Sequence, residues 1–223
     1  MESRIILPLD HVKWDQARDI MHRTEGLVWG YKIRRSVLDR GLTVLPDIKR
    51  HGRVMLDFKL YDIPSAMTES LTLHLTAGAD ITTVHCTSGY DPVAQGLPKD
   101  HIAGVTILTS MGREDFRRHY RGESPQQMVA QMAAEAVSRY AYLVCSATDL
   151  ESIQALDIKK ICPGIRPSWY REDDDQQRTA TPADAIRQGA DLLVIGRPLL
   201  GAADIAGAVE RTNTEIAQAM STG

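Results

Sequence analysis

The chain has 223 residues, of which 43% are hydrophobic and 25% are charged, so it can bury one sizeable core as a single domain over residues 1–223. Its formal net charge of −3 gives no overall reason to expect nucleic acid as a partner. Its apolar runs are well under the ~18 residues that a membrane helix needs, and the first residues show no signal peptide, so no membrane partner is predicted.

The cysteines predict a reducing compartment. Cys86, Cys145 and Cys162 are odd in number, lack Cys-x-x-Cys spacing and lie in or beside apolar runs. These features are typical of buried, reduced thiols. We therefore expect a cytoplasmic protein.

Short β-rich runs alternate with helical patterns along the chain. Most of the candidate strands are apolar on both faces, as a parallel sheet covered by helices requires. These strands are Arg4–Asp10, Leu27–Ile33, Val54–Lys59, Ile81–Cys86, Ile102–Leu108, Tyr142–Ala147, Lys159–Ile165 and Leu192–Arg197. The clearest helical patterns are Trp14–Arg23, Ser65–Ala77, Ser124–Arg139, Thr181–Gln188 and Ala203–Met220. This alternation predicts an α/β protein with a (β/α)8 TIM barrel fold. Glycines and prolines in 87–100 leave room for only a short helix between strands four and five.

The segment Met55–Ser65 carries the densest group of reactive side chains. Asp57, Lys59 and Asp62 lie at the end of the third predicted strand. Asp57 and Lys59 are two residues apart, so in a strand both side chains point to the same face. Lys32 ends the second predicted strand, so two lysines and two carboxylates meet at neighbouring strand ends. Alternating charges of this kind are costly to bury and usually serve chemistry.

Polar residues end the other strands too, and in a barrel these ends face the active site. Asp10, at the first strand end, fits a helix cap as well as a catalytic group. His85 and Ser146 fit structural roles better than catalytic ones. The remaining polar residues at strand ends are Thr109, Ser110 and Arg166.

The end of the chain predicts a phosphate site. Strand eight ends in Gly196-Arg197, and the polar loop after strand seven carries Asp175–Arg178. Loops after strands seven and eight commonly bind phosphate in this fold. A glycine lets backbone N–H groups approach an anion, and an arginine supplies a bidentate fork. The acidic run Asp173–Asp175 favours solvation over metal binding, so no metal site is predicted.

Taken together, these motifs resemble the orotidine 5′-phosphate decarboxylase family, and most closely its bacterial branch. The pattern Asp-x-Lys-x-x-Asp alone indicates only the wider superfamily, but here Ile63-Pro64 follows it and both phosphate motifs occur in order. The matching segments are Leu9-Asp10, Lys32-Ile33, Leu56–Pro64, Val84-His85, Val105–Met111, Val144–Ala147, Pro163–Arg166, Asp175–Arg178 and Val194–Pro198.

The resemblance implies a reaction and a role for each charged residue. The reaction is the decarboxylation of orotidine 5′-monophosphate to UMP in pyrimidine synthesis, without a metal or another cofactor. Asp57 would lie against the substrate carboxylate, and Lys59 would deliver the proton to C6. Asp10 and Lys32 would contact the ribose. Asp62 would reach into the neighbouring subunit's site, so the family implies a homodimer with shared active sites.

The resemblance also assigns the remaining substrate contacts. Thr109 and Ser110 would lie near the pyrimidine. The phosphate would be held by Arg166, Gln176, Gly196 and Arg197.

The chain departs from the family pattern at three places. Ala66 stands where a threonine is usual, which puts a ribose contact across the dimer in doubt. Arg34 stands where glycine is usual, and could crowd the site or point outward. The stretch between His85 and Thr109 is also shorter than usual.

Two alternatives remain open at this point. One is a magnesium-dependent sugar-phosphate enzyme of the same superfamily, such as a 3-keto-L-gulonate 6-phosphate decarboxylase or a hexulose phosphate synthase. Those enzymes carry an acidic residue where this chain has Lys32, and a lysine repels a divalent cation. The other is a non-catalytic or weakly active nucleotide-binding relative, against which the complete charge cluster argues.

Overall fold

Eight parallel strands close into a barrel in chain order in this computed structural model, which describes residues 2–120, 124–171 and 179–221. Each strand pairs with its neighbours in sequence, and the eighth pairs with the first. The strands are β1 (Ile5–Pro8), β2 (Gly30–Ile33), β3 (Arg53–Leu60), β4 (Ile81–His85), β5 (Ile102–Val105), β6 (Tyr142–Val144), β7 (Lys159–Cys162) and β8 (Leu192–Val194).

Ten α-helices occur in the described residues, and every connection between successive strands except that from β4 to β5 holds at least one. They are α1 (Trp14–Thr24), α2 (Arg35–Arg40), α3 (Leu45–Lys49), α4 (Pro64–Thr76), α5 (Arg113–His119), α6 (Pro125–Arg139), α7 (Leu150–Ile153), α8 (Pro182–Arg187), α9 (Arg197–Leu200) and α10 (Ile205–Ser221). The predicted (β/α)8 TIM barrel is thereby confirmed. No described helix is long and apolar enough to cross a membrane.

Two helix starts show why the sequence pattern located them. The Ser124 hydroxyl accepts a hydrogen bond from the backbone N–H of Gln127 at 3.2 Å, and Pro125 follows as the first helical residue. The Thr181 hydroxyl accepts from the N–H of Asp184 at 3.1 Å, again with proline next in the chain. Each hydroxyl satisfies a donor that the first helical turn leaves free, and proline has no such donor to lose.

Most strands end earlier than the sequence indicated. The fifth was expected to reach Leu108 and the eighth Arg197, but pairing stops at Val105 and Val194. Apolar residues continue past these points because they still face the core, although the chain has left the ladder. The stretch 86–101 contains only two turns of 3-10 helix, which confirms the short connection expected between strands four and five.

The inner face of the barrel positions the site. Side chains alternate between the two faces of a strand, so on β3 Met55 points inward and Asp57 and Lys59 follow it at steps of two. The apolar side chains that pack the barrel interior end just below these charged residues. It consists of Ile6, Met55, Ile81, Ala103, Val105, Val144, Ile161, Leu192 and Val194. A second, larger core packs the outer faces of the strands against the helices.

Candidate active site

A cavity of about 440 Å³ opens at the C-terminal ends of the strands. Its charged side comes from β2 and β3, with Lys32, Asp57 and Lys59. Its opposite wall comes from β5 to β8 and the residues that follow them, and it is mainly apolar. That wall and the floor are lined by Met55, Val105, Ile107, Leu108, Thr109, Ser110, Val144, Cys145, Pro163 and Val194. The cavity is therefore suited to a partly apolar ligand with a negatively charged edge.

Four charges of alternating sign form a continuous network beside this cavity, in which Lys32, Asp57 and Lys59 meet as expected and Asp10 takes the place that was expected for Asp62. Lys32 Nζ contacts Asp10 Oδ2 and lies 2.9 Å from Asp57 Oδ2. Lys59 Nζ lies 2.7 Å from the same Asp57 oxygen. The Asp57 side chain is only 9% exposed, whereas that of Lys59 is 29% exposed. Lys59 is thus the member of this pair that has more access to a ligand in the cavity.

Both inner members of the network are held in their charged forms. Burial by itself would raise the pKa of Asp57, but Lys32 and Lys59 outweigh it and lower that pKa to about 2. Burial would lower the pKa of Lys32, but Asp57 and Asp10 raise it above its ordinary value. Opposite charges at short range favour the ionised form of each partner. At neutral pH the site therefore presents a fixed arrangement of cations and anions.

Local backbone features place these side chains. Gly30 on β2 lies so close to β3 that an added Cβ would be 2.2 Å from the carbonyl oxygen of Arg53, so a bare backbone is needed two residues before Lys32. Lys59 adopts a φ of +51°, in the left-handed region. That conformation costs a non-glycine residue about 1–2 kcal/mol. The surrounding structure must supply this energy, and strain of this kind is concentrated at functional sites.

Asp62 is separated from the rest of the charge cluster within one chain. Its side chain is exposed, and its carboxylate accepts a hydrogen bond from the adjacent N–H of Ile63 at 2.7 Å. Its neighbours Tyr61 and Ile63 are each 64% exposed. The described residues of this chain therefore bring Lys32, Asp57, Lys59 and Asp10 together, but not Asp62.

Three of the four predicted phosphate residues, Arg166, Gly196 and Arg197, follow β7 and β8 and are not among the described residues that line the cavity. Gly196 lies directly before α9, and Arg197 is its exposed first residue. Arg166 donates to the carbonyl of Ile165 at 2.9 Å, and its guanidinium lies 6.0 Å from the centre of the Tyr170 ring. Gln176 falls outside the described residues. The phosphate assignments of these four residues remain predictions.

Thr109 and Ser110 line the cavity, as their assigned place beside the pyrimidine requires. His85 does not line it among the described residues. Burial, followed by the charge of Lys59, lowers the pKa of His85, so its ring is neutral at pH 7. Its ring meets that of Tyr61 edge to face at 5.9 Å. These contacts fit the structural interpretation of His85.

The structure adds Arg34 and Thr83 to the residues of the site. Arg34, whose orientation the sequence left open, lines the cavity and adds a cation at its exposed rim. Thr83 was missed altogether. It is fully buried, and its hydroxyl contacts both Asp57 and the backbone of Lys59. The sequence offered no signal for it, because threonine is an ordinary strand residue.

Known proteins are similar to this chain over nearly its whole length. A relative from Desulfosudis oleivorans named orotidine 5′-phosphate decarboxylase is 31% identical, over 97% of this chain and 94% of its own length. One of the same name from Paramagnetospirillum magneticum is 32% identical, over 97% and 99%. The crystal structure of orotidine 5′-phosphate decarboxylase from Lactobacillus acidophilus superposes with a TM-score of 0.77 at 24% identity, covering 96% of this chain and 99% of that one. At an identity of 24%, this superposition is evidence for a shared fold only.

Residues 3–212 match the model of a family described as Orotidine 5′-phosphate decarboxylase / HUMPS family. Together with relatives above 30% identity over almost the full length, this match shows that the chain belongs to the orotidine 5′-phosphate decarboxylase / HUMPS family.

Proposed function

We propose that this chain converts orotidine 5′-monophosphate to UMP and CO2 without a cofactor, with Lys59 as the proton donor. The observation that carries the proposal is the buried network of Asp10, Lys32, Asp57 and Lys59 beside a cavity with an apolar far wall. The relatives that carry the name of this enzyme support the same reaction.

The chemistry follows from the charges. The bond between C6 of the pyrimidine and its carboxylate breaks, CO2 leaves, and the electron pair stays on C6, where no ring position delocalises it. The ammonium group of Lys59 stabilises this developing charge and then protonates C6, which yields UMP. The neutral amine regains its proton from water. A cation that is already in place at the reacting carbon needs no reorganisation during the reaction.

Asp57 contributes in two ways. It holds Lys32 and Lys59 in place through one oxygen, Oδ2. Its carboxylate also remains ionised and faces the position assigned to the substrate carboxylate, so the two groups repel until CO2 departs. At ~4 Å and an effective dielectric constant of ~20, one such contact costs about 4 kcal/mol. We assign the larger share of catalysis to stabilisation of the carbanion by Lys59.

Lys32 separates this function from that of the magnesium-dependent relatives. Its ammonium group lies between carboxylate oxygens of Asp10 and Asp57 and forms an ion pair with each. A divalent cation at the same carboxylates would be repelled by this fixed positive charge. Within the described residues no group of three or more His, Cys, Asp or Glu is placed to hold a metal ion. This donor set does not fit a magnesium site.

A homodimer with shared sites belongs to the proposal. Asp62 projects from the barrel rim between the exposed Tyr61 and Ile63. An aspartate flanked by two large exposed hydrophobic side chains is suited to insertion into a second subunit. We place the enzyme in the cytoplasm, which the free thiols of Cys86 and the buried Cys145 support, and we propose no nucleic-acid or membrane partner.

Replacement of Lys59 by alanine is expected to lower the decarboxylation rate by ~10²–10⁴-fold, because the proton donor is lost. The rate is measured by the change in absorbance of orotidine 5′-monophosphate in the presence of EDTA. Lys49→Ala removes an exposed lysine paired with Asp80 and should leave the rate unchanged. A Lys59→Ala enzyme that keeps more than about a tenth of the rate would contradict the role, and activity that needs added Mg²⁺ would favour the metal-dependent relatives.

The stability contribution of Asp57 is expected to depend on pH. Its pKa is lowered from 3.8 to about 2, so the carboxylate stabilises the folded state above pH ~4 and loses this effect as the pH falls through ~2. The difference in unfolding free energy between wild type and Asp57→Asn, measured with urea, should be constant from pH 7 to 5 and shrink towards pH 2. Glu114→Gln, from the exposed pair with Arg118, serves as the surface control. A difference that stays the same at pH 3 and pH 7 would refute this account.

Arg197→Ala is expected to weaken binding of UMP by about 10- to 100-fold, since a charge-assisted hydrogen bond to phosphate is lost. Binding of uridine, which has no phosphate, should change little. Both affinities are measured by calorimetry. Arg187→Ala removes an equal charge from α8, where Arg187 pairs with Asp184, and should affect neither ligand. Equal weakening of UMP and uridine would show that Arg197 does not bind the phosphate.

Mixing inactive Lys59→Ala and Asp62→Ala chains is expected to restore activity. In a heterodimer one site receives both substitutions and the other neither, so random exchange leaves about a quarter of all sites intact. Mixing Lys59→Ala with Asp57→Ala is the control, because both residues belong to the same chain's network and no intact site results. Subunit exchange without recovered activity, or a fully active monomer, would disprove the shared site.

A further inference from the structure

Thr83 lies on the inner face of β4, directly beside the charge network. It follows the inward-facing Ile81 by two residues and is fully buried. Its hydroxyl donates to Asp57 Oδ1 at 3.2 Å and accepts a hydrogen bond from the backbone N–H of Lys59 at 2.8 Å. One hydroxyl group thus contacts both residues closest to the proposed chemistry.

The contact with Lys59 lies at an irregularity of the sheet. Leu56 pairs with Thr82 and Leu60 pairs with Val84, so β3 advances four residues while β4 advances two. The additional residues form a bulge, and within it Lys59 takes its φ of +51°. A bulge re-aims a side chain and leaves backbone groups without their usual ladder partners. The Thr83 hydroxyl supplies a partner for the N–H of Lys59 at this strained position.

The hydrogen bond from Thr83 gives the second oxygen of the Asp57 carboxylate a partner. Asp57 Oδ2 lies 2.9 Å from Lys32 Nζ and 2.7 Å from Lys59 Nζ. Asp57 Oδ1 accepts the hydrogen bond from the Thr83 hydroxyl. With both oxygens engaged, the plane of the carboxylate cannot rotate freely. The direction in which Lys59 reaches into the cavity is therefore set twice, through its own backbone and through its ion-pair partner.

We infer that Thr83 is a positioning residue for the decarboxylation, which holds the Lys59 ammonium group at the reacting carbon through the bulge and through Asp57. This inference rests on the proposed function. Thr83 is not among the described residues that line the cavity, so it acts through its neighbours without touching substrate. Its loss should lower turnover more than affinity, because a small displacement of a reacting group can cost about 10²-fold in rate.

A neighbouring threonine offers a matched control. Thr82 is also fully buried on β4, but it points to the other face and pairs with His74 Nδ1 at 2.9 Å. Thr82→Val and Thr83→Val each remove one buried hydroxyl and keep the side-chain shape. Both should lower thermal stability, but only the second should disturb Lys59. Thr83→Ser retains the hydroxyl and should retain the rate.

The experiment measures kcat and KM for orotidine 5′-monophosphate, the affinity for UMP, and the crystal structures of the variants. For Thr83→Val we expect kcat to fall by about 10- to 100-fold, with KM and UMP affinity within about threefold of wild type and a shifted Lys59 φ. Thr82→Val and Thr83→Ser should keep at least half of the wild-type kcat. If Thr83→Val does not fold, Thr83→Ala, which avoids adding a methyl group beside the carboxylate, takes its place.

Three outcomes would overturn the inference. They are a Thr83→Val enzyme with unchanged kcat, an equal loss of kcat in Thr82→Val, and a loss of kcat with Lys59 and Asp57 in unchanged positions. If the wild-type enzyme itself does not decarboxylate the substrate, the proposed function fails. In that case the crystal structure of Thr83→Val still decides whether Thr83 positions Lys59.

Discussion

The ion pairing of Asp57 is the interaction on which the rest of the site depends. A carboxylate that is 9% exposed would be strongly destabilising without partners. Lys32 and Lys59 converge on one of its oxygens and Thr83 on the other. Asp10 then balances the charge of Lys32. Removing Asp57 would leave the buried Lys32 and the partly buried Lys59 without the carboxylate that they share, which is strongly destabilising.

The barrel divides the cavity into a charged side and an apolar side. β2 and β3 are adjacent, so their C-terminal ends bring Lys32, Asp57 and Lys59 into one corner. The opposite strands contribute Val105, Val144 and other apolar residues. An apolar wall lowers the local dielectric constant, which strengthens the electrostatic interactions of the charged groups that face it. In the proposed reaction, the cations of this corner stabilise the charge that develops at one edge of the substrate ring.

Strain at Lys59 has a consistent physical explanation. A regular strand would place the backbone of Lys59 in the ladder with β4. The bulge between Leu56 and Leu60 releases it from that geometry, and the left-handed φ turns it towards Asp57. The energy for this conformation comes from the ion pair and from the Thr83 hydrogen bond. The Thr83 contact arises from the pairing of β4 with β3, whereas Asp57 belongs to the same strand as Lys59.

The sequence by itself determined the architecture and three members of the charge network, Lys32, Asp57 and Lys59. It added Asp62, which lies apart, and left Asp10 open between a helix cap and a catalytic group. Apolar runs bounded by glycine, proline and capping hydroxyls predicted the eight strands and the five principal helices, because burial and capping are local requirements. The spacing of Asp57 and Lys59 placed both on one face of a strand. The short helices, such as α2 and α9, were not predicted, because single turns are stabilised by tertiary packing and carry no periodic pattern.

Only the tertiary structure decided how these residues meet. Pairing across β3 and β4 creates the bulge, and it brings Thr83 under Asp57 across 26 residues of sequence. No local pattern marks that threonine, since threonine is an ordinary strand residue. The orientation of Arg34 towards the cavity likewise depends on how the chain leaves β2. Contacts between strands are set by barrel closure, which is a property of the whole chain and has no signal within any one segment.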